Sequence, residues 1–349
     1  MLAAQLQSEE RLSFIYEVPI DPEAESSHAF ALSMIGYNKT LLEVGCSTGF
    51  FTKVLVERGC DVTGIELDPD AAKRAEEWAE RVVVGNLDDG EVWNDVKDES
   101  FDVVLLGDVL EHLRDPLAAL RQAVRKLKPS GYVVTSLPNV VHGDVRMAMI
   151  LGRFRYADVG LLDRTHLKFF TLESARDLMT EAGLVVVEIR RVVMPLFATE
   201  LGVRREDVSH QVVDEILTDP EAETYQFVMK CVRDNGTRTL AELSRRVNEL
   251  SDHMWRETVR TALLRRELHD RGPDSELQVY QRYIEALEGH VSGLEHNIEV
   301  LTDLVSTTEA AYIAADANYQ EMLGRRTIQM TAPIRWAYNK LTRATKKTS

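Results

Sequence analysis

The sequence has few of the features that mark secreted, metal-bound or membrane-spanning chains. Its three cysteines, Cys46, Cys60 and Cys231, have neither the spacing of a zinc site nor the even number of a disulfide framework. Residues 1–11 contain no apolar signal core. No run approaches the roughly eighteen apolar residues that a membrane-spanning helix needs. We therefore expect a protein of the reducing cytoplasm, and we predict no metal site.

An excess of basic residues is also missing. The 349 residues carry a formal net charge of -16, which disfavours nucleic acid as a partner because non-specific binding of that kind needs a positive surface. The exception is the C-terminal tail at 326–349, which contains no acidic side chain. Its apolar residues Ile334, Tyr338 and Leu341 recur at helical spacing. The tail is either a peripheral contact with the inner face of the cell membrane or a solvated basic segment.

From residue 39 to 234, short β-branched runs alternate with amphipathic helical stretches. This alternation is typical of a parallel sheet with crossover helices. We predict an α/β fold with a doubly wound, mainly parallel seven-stranded sheet, preceded by a helical cap at 1–38. The predicted strands are 40–44, 61–65, 81–84, 102–106, 132–136, 185–191 and 225–232.

From residue 237 to 325 the strand signal is almost absent, and a heptad repeat replaces it. Apolar positions alternate three and four residues apart from Leu277 to Met322. β-Branched residues at the a positions, such as Ile284 and Val291, with leucine at d, favour a parallel two-stranded coiled coil. We expect this all-α tail to make the chain a homo-oligomer, with a parallel dimer favoured. The alternative is a helical hairpin that packs on the α/β domain.

The first predicted strand ends in a glycine-containing turn, LLEVGCSTGF (41–50). A strand that enters such a turn and then a helix brings backbone N–H groups close to a nucleotide-like ligand. Ser47 and Phe50 stand where a dinucleotide site would have its second and third glycines, so hydride-transfer chemistry is disfavoured. Glu66 ends the second strand about twenty residues further on, where a carboxylate can accept both ribose hydroxyls.

With the later segments GNLD (85–88), FDVVLLGDVLEHLRDP (101–116) and LKPSGYVV (127–134), this turn resembles the class I S-adenosylmethionine-dependent methyltransferase superfamily. The resemblance covers residues 26–232, and the branch is one often linked to bacterial surface-glycan synthesis. It implies a Rossmann-like fold and S-adenosyl-L-methionine as the cofactor. Ser47 and Asn86 depart from the glycine and aspartate that are usual in the family. The implied cofactor residues are Glu43, Gly45, Cys46, Ser47, Gly49, Glu66, Leu67, Asn86, Leu87 and Asp108.

Two segments that follow the fifth strand, 136–146 and 160–171, gather polar and aromatic side chains at the carboxyl-end rim of the sheet, where α/β enzymes bind ligands. We interpret them as an acceptor lid. The predicted substrate-binding residues are Asn139, Arg146, Asp163 and Arg164. A hydroxyl acceptor benefits from a general base, and histidine is suited to that role near neutral pH. The candidate bases are His112, His142 and His166, which His28 of the cap could join.

From this resemblance we predict O-methylation of a sugar or glycan acceptor in bacterial surface polysaccharide biosynthesis, with the helical region as an oligomerisation or spacer element. One alternative is a quinone or other lipid-like small-molecule acceptor, which a pocket lined by Phe154, Phe169 and Phe170 would favour. The other is a non-catalytic coiled-coil scaffold with a vestigial cofactor pocket.

Overall fold

The computed structural model describes residues 20–234, 238–271, 284–285, 287–305 and 307. The tail at 326–349, the first half of the cap and most of the predicted heptad repeat lie outside these residues. Among the described helices, none combines the length and the apolar character needed to cross a bilayer.

A single seven-stranded sheet forms the centre of the described α/β region. Its strands are β1 (Thr40–Val44), β2 (Asp61–Glu66), β3 (Arg81–Val84), β4 (Phe101–Gly107), β5 (Leu127–Pro138), β6 (Leu184–Val193) and β7 (Thr224–Arg233). The order is β3-β2-β1-β4-β5-β7-β6. The first five strands pair in parallel, whereas β7 lies antiparallel between β5 and β6. The predicted fold class and all seven predicted strands are therefore confirmed.

Helices cover both faces of the sheet, as the apolar strand sequences require. Val103 to Leu106 in β4 are almost completely buried, because a parallel strand in this position is covered from both sides. The helices are α1 (Ser27–Ile35), α2 (Phe50–Glu57), α3 (Pro69–Ala75), α4 (Pro116–Lys126), α5 (Gly143–Ile150), α6 (Leu172–Glu181), α7 (His210–Leu217) and α8 (Arg238–Arg271). Helix α4 shows the local rule for a helix start: Asp115 caps it through the Ala118 amide at 2.9 Å, and Pro116 follows at the first position.

The helical region after the sheet contains α8 and a further helical stretch at 287–305. Helix α8 packs against β6. The heptad positions Ile284 and Leu294 are buried within this one chain. His290 lies against His253 of α8, with their Nε2 atoms 3.3 Å apart. This contact joins the two described helical stretches within one chain, while the helical hairpin and the parallel dimer both stay predictions.

Candidate active site

The turn between β1 and α2 has the backbone conformation that a close ligand approach needs. Gly45, Ser47 and Gly49 all have positive φ, at 75°, 49° and 82°. A Cβ atom on Gly49 would lie 2.7 Å from the Ala75 Cα, and one on Gly45 would lie 2.8 Å from the Val109 side chain. Glycine is therefore needed at 45 and 49, whereas the half-buried Ser47 occupies the left-handed region at a modest energetic cost.

Glu66 is held in place by the same turn. Its Oε2 accepts the Ser47 amide at 2.8 Å, and its Oε1 accepts the Leu67 and Asp68 amides at 2.8 and 2.9 Å. A carboxylate has about four acceptor sites, so these bonds fix its orientation and leave capacity for a further donor. The geometry fits the ribose-binding role that the family resemblance implies.

Glu43 and Cys46 form a buried wall behind the turn. Thr52 donates to Oε2 of Glu43 at 2.6 Å. Burial raises the pKa of Glu43 to about 8, with the Thr52 hydrogen bond opposing the shift and the Glu66 charge adding to it. Burial, reinforced by Glu43 and Glu66, also raises the pKa of the Cys46 thiol. Glu43 is therefore mainly protonated at neutral pH. The Cys46 thiol is uncharged as well, so it lines the site and does not act as a nucleophile.

Two adjoining cavities open at the carboxyl ends of the parallel strands. The larger, of about 460 Å³, reaches inward past Glu43 to the acceptor segments. The smaller, of about 290 Å³, is lined by Leu67, Asn86 and Leu87. The two share Gly45, Glu66, Asp108 and His112. All predicted cofactor residues line one or both cavities except Gly49, which supports the turn from behind against Ala75.

Asp108 stands at the junction of the two cavities in a strained conformation, with φ at 53°. Ser136 fixes it twice: the Ser136 hydroxyl donates to Oδ1 at 2.9 Å and accepts the Asp108 amide at 3.0 Å. The side-chain amide of Gln226 donates to the same carboxylate oxygen. The Asp108 carboxyl group is thus held in one orientation beside the point where the cavities meet.

A cluster of Glu111, His112 and His166 lines the acceptor side. The two imidazole rings meet edge to face, with centroids 4.8 Å apart, and Nδ1 of His112 lies 3.0 Å from the Thr165 hydroxyl. Burial and the nearby Asp108 charge raise the pKa of Glu111 well above its usual range. Burial and the neighbouring His112 lower the pKa of His166. The cluster thus places a carboxyl group of raised pKa beside an imidazole whose pKa is lowered.

Two buried atoms of this cluster, Oε2 of Glu111 and Nδ1 of His166, have no hydrogen-bond partner among the described residues. The ligand atoms of Glu111, His112 and His166 lie within 4.8 Å of one another, so these three side chains could hold a metal ion. Two imidazoles and one carboxylate suit a borderline divalent cation such as zinc. A proton on Glu111 satisfies the same charge balance, so the arrangement does not require a metal.

Comparison with known proteins agrees with this geometry. Residues 20–189 match the family model of a methyltransferase domain. Residues 20–189 are therefore similar to a methyltransferase domain. The ubiquinone biosynthesis O-methyltransferase of Hydrogenovibrio crunogenus is 30% identical over 154 residues, which are 43% of this chain and 64% of that protein. The enzyme of the same name from Psychrobacter arcticus is 29% identical over 189 residues, covering 51% of this chain and 72% of that protein.

Solved structures share the general architecture at low similarity. A possible histamine N-methyltransferase from Thermotoga maritima has a TM-score of 0.41 at 23% identity, covering 60% of this chain and 89% of that one. Magnesium protoporphyrin IX methyltransferase from Synechocystis, with S-adenosylhomocysteine bound, has a TM-score of 0.43 at 11% identity, covering 66% and 94%. The family match over residues 20–189 supports the predicted methyltransferase class and its cofactor, S-adenosylmethionine.

His142 has a structural place in the methyltransferase domain, which corrects its prediction as a base. The side chain is fully buried and lines neither cavity. Its Nε2 lies 2.9 Å from the Met194 carbonyl, and its Nδ1 lies 3.1 Å from the Asp144 amide. A carbonyl only accepts and an amide N–H only donates, so the neutral Nε2–H tautomer is fixed and no ring nitrogen is left for a substrate.

Three of the four predicted substrate residues bond to the protein away from both cavities. Asn139 is buried and donates to the Glu221 and Thr224 carbonyls at 3.1 and 2.8 Å. Arg146 donates to the Val141 carbonyl and pairs with Asp219, and the exposed Arg164 pairs with Asp158. None of the three lines either cavity. Of this group, only Asp163 does so.

His28 of α1, which the sequence analysis named as a further candidate base, lines the larger cavity, with its ring edge against Phe50 and Phe51 of α2. Two other cavity residues come from a part of the chain that the sequence did not single out. Tyr225 and Gln226 arrive from β7, at the opposite end of the domain sequence. Phe154, Phe169 and Phe170, in contrast, line neither cavity: the first two are exposed and the third is in the core beneath the sheet.

Proposed function

We propose that this chain is an S-adenosylmethionine-dependent O-methyltransferase that methylates a hydroxyl group on a small ring compound of the quinone-precursor type. The observation that supports it is the meeting of the two cavities at Gly45, Asp108 and His112, with the cofactor residues on one side and an acid–imidazole cluster on the other. The oxygen acceptor and the quinone-type ring are inferred from the relatives, which are named as ubiquinone biosynthesis O-methyltransferases. Because the chain spans 64% of the length of the first of them, the whole activity is a proposal.

S-adenosylmethionine supplies an activated methyl group for in-line displacement by the acceptor oxygen. Glu66 and the turn hold the nucleoside, and Glu43 closes the site behind the turn. His166 takes the proton that leaves the acceptor hydroxyl; its lowered pKa keeps the ring neutral and able to accept at pH 7. Glu111, whose buried Oε2 has no hydrogen-bond partner among the described residues, orients a neighbouring polar group of the acceptor. Positioning in a closed site supplies most of the remaining acceleration.

A sugar acceptor is the second candidate, and the lining of the cavity is the observation that favours it. The acceptor side carries polar side chains, among them Asp163, Thr165, Tyr225 and Gln226. The phenylalanines that a lipid-like acceptor would favour are elsewhere. Both acceptors, the quinone-type ring and the sugar, carry neighbouring hydroxyl groups on a ring. The two candidate functions therefore differ in the type of ring and share the same reaction.

A transfer assay distinguishes the two candidates. The full-length chain would be incubated with S-adenosylmethionine and either 3,4-dihydroxybenzoate or a panel of hexoses, and the products analysed by mass spectrometry. We expect a methyl ether on the phenolic oxygen, at a rate that falls at least about a hundredfold in His166→Phe. Methylation of the hexoses alone would support the sugar acceptor. A chain that fails to bind S-adenosylmethionine would overturn both candidates and favour a scaffold with a vestigial pocket.

Oligomerisation and membrane contact stay proposals of their own. We propose that the heptad repeat from Leu277 to Met322 joins copies of the chain and that the basic tail at 326–349 contacts an anionic membrane surface. Light scattering of the full chain tests the first, and a single monomeric mass would contradict it. Cell fractionation of a chain without residues 326–349 tests the second proposal. The same share of protein in the membrane and soluble fractions, with and without these residues, would contradict it.

A further inference from the structure

A buried ionic chain ties helix α8 to the methyltransferase domain. Arg191 of β6, whose side chain is 4% exposed, donates to both carboxylate oxygens of Glu221 at 2.8 to 3.1 Å. The same guanidinium donates to Asp252 of α8 at 3.1 Å. Asp252 also accepts two parallel hydrogen bonds from Arg176 of α6, at 2.8 and 2.9 Å. One carboxylate of α8 thus connects two arginines of the domain.

A second contact from α8 reaches the same place. The Trp255 indole N–H donates to the Pro220 carbonyl at 2.9 Å. The Trp255 ring lies 5.2 Å from the Arg191 guanidinium, in the range of a cation–π contact. Asp252 and Trp255, less than one helical turn apart, therefore both hold the turn at 219–224 that precedes β7.

The turn at 219–224 also holds the acceptor segment at 139–146. Asn139 donates to the carbonyls of Glu221 and Thr224, and the Gly143 amide donates to the Ala222 carbonyl at 2.7 Å. Arg146 pairs with Asp219. Immediately after the turn, Tyr225 and Gln226 line the larger cavity. A displacement of the turn would therefore reach the cavity wall along β7 and along 139–146.

We propose that Asp252 and Trp255 of α8 are positioning residues for the acceptor wall. They fix the turn at 219–224, and the turn fixes Asn139 and the cavity residues Tyr225 and Gln226. The helical region is then part of the acceptor site as well as a connection to the heptad repeat. The inference rests on the proposed function only in naming this cavity side as the acceptor side.

Loss of Asp252 should loosen the turn and leave the fold in place. Arg191 would keep Glu221 as a partner, so its charge would not be left alone in the interior, which is the situation that destabilises most. The cofactor turn at 45–49 makes none of these contacts. The effect should therefore be confined to 139–146 and 219–226.

Hydrogen exchange on the full-length chain tests this without any acceptor. We expect backbone amides in 139–146 and 219–226 to exchange about tenfold faster in Asp252→Asn and in Trp255→Phe, with amides of β1 and the cofactor turn unchanged. Glu249→Gln is the matched control, because Glu249 is an exposed residue of the same helix that pairs only with Arg245 and Arg246 of that helix in the described structure.

Kinetics with 3,4-dihydroxybenzoate give a second readout. We expect the KM for this acceptor to rise about fivefold in both variants, with kcat and the affinity for S-adenosylmethionine within about twofold of wild type. Exchange in 139–146 equal to the control in both variants would overturn the proposal, as would a uniform increase across the sheet. If wild type does not methylate the probe, the proposed acceptor class is wrong, and the exchange result still decides the role of α8.

Discussion

Replacing Glu43 by glutamine tests the electrostatics of the cofactor wall. The folded chain raises the pKa of this carboxyl from 4.5 to about 8, chiefly through burial. The folded state thus holds the proton more tightly than the unfolded state. The stability that this adds is complete below pH 4.5 and is lost as the pH rises through 8. At about 1.4 kcal/mol per pH unit, the loss over the window is of the order of 4 kcal/mol.

Glutamine keeps the size of the side chain and an oxygen that accepts the Thr52 hydroxyl, but it does not titrate. Urea unfolding at pH 5 and pH 8.5 would be compared for wild type, Glu43→Gln and the exposed control Glu76→Gln. The stability of Glu43→Gln relative to wild type should increase by about 4 kcal/mol between the two pH values, while the control follows wild type. Parallel pH dependence in all three chains would refute the argument that Glu43 is protonated in the fold.

Three further substitutions separate structural from chemical roles. Gly49→Ala should cost about 2 kcal/mol in thermal unfolding, since its Cβ meets the Ala75 backbone at positive φ; an unchanged Tm would contradict this. His142→Phe should cost about 1–3 kcal/mol in urea unfolding by leaving the Met194 carbonyl and the Asp144 amide without partners. The kcat of folded His142→Phe should stay within about twofold of the wild-type value. His166→Phe should instead lose at least about a hundredfold in kcat and unfold like wild type. If His142→Phe lost activity and His166→Phe lost stability, the structural and chemical roles of the two histidines would be the reverse of those assigned.

The sheet and the cofactor half of the site could be predicted because their signals are local. Strands buried on both faces read as continuous apolar runs, as in 103–106. The glycine turn, Glu66 and Asn86 each follow directly from the end of a strand, and parallel strands bring their carboxyl ends to one edge. Ser47 shows that a departure from the family motif can keep the geometry, because serine here adopts the left-handed conformation.

The acceptor half could not be predicted in the same way. The sequence pattern of a polar loop residue is the same whether its side chain faces a ligand or bonds to a backbone carbonyl. His142 and Arg146, which bond to carbonyls, show this. Tyr225 reaches the cavity only because β7 inserts antiparallel beside β5, a pairing between distant segments. Glu111 lies in a short turn among apolar neighbours, and its burial depends on the lid residues that pack over it, such as Leu167, whose amide bonds to the Glu111 carbonyl.

The heptad repeat shows a third limit. A stripe of apolar residues is buried equally well by a second chain and by a neighbouring helix of the same chain, so the period alone does not choose between them. Ile284 and Leu294 are buried within a single chain, in the stretch whose His290 contacts His253 of α8. Two of the predicted core positions are thus buried, and the partner of the repeat is left to be measured.

The central claim is that the turn at 45–49 and Glu66 bind S-adenosylmethionine. Calorimetric titration of the full-length chain tests it most directly, beside Glu66→Ala and the exposed control Glu76→Gln. The account predicts micromolar binding to wild type and to the control, weakened at least about tenfold in Glu66→Ala, because the variant loses the ribose acceptor and the carboxylate that fixes the Ser47 amide. Equal binding in all three chains, or none to wild type, would contradict it.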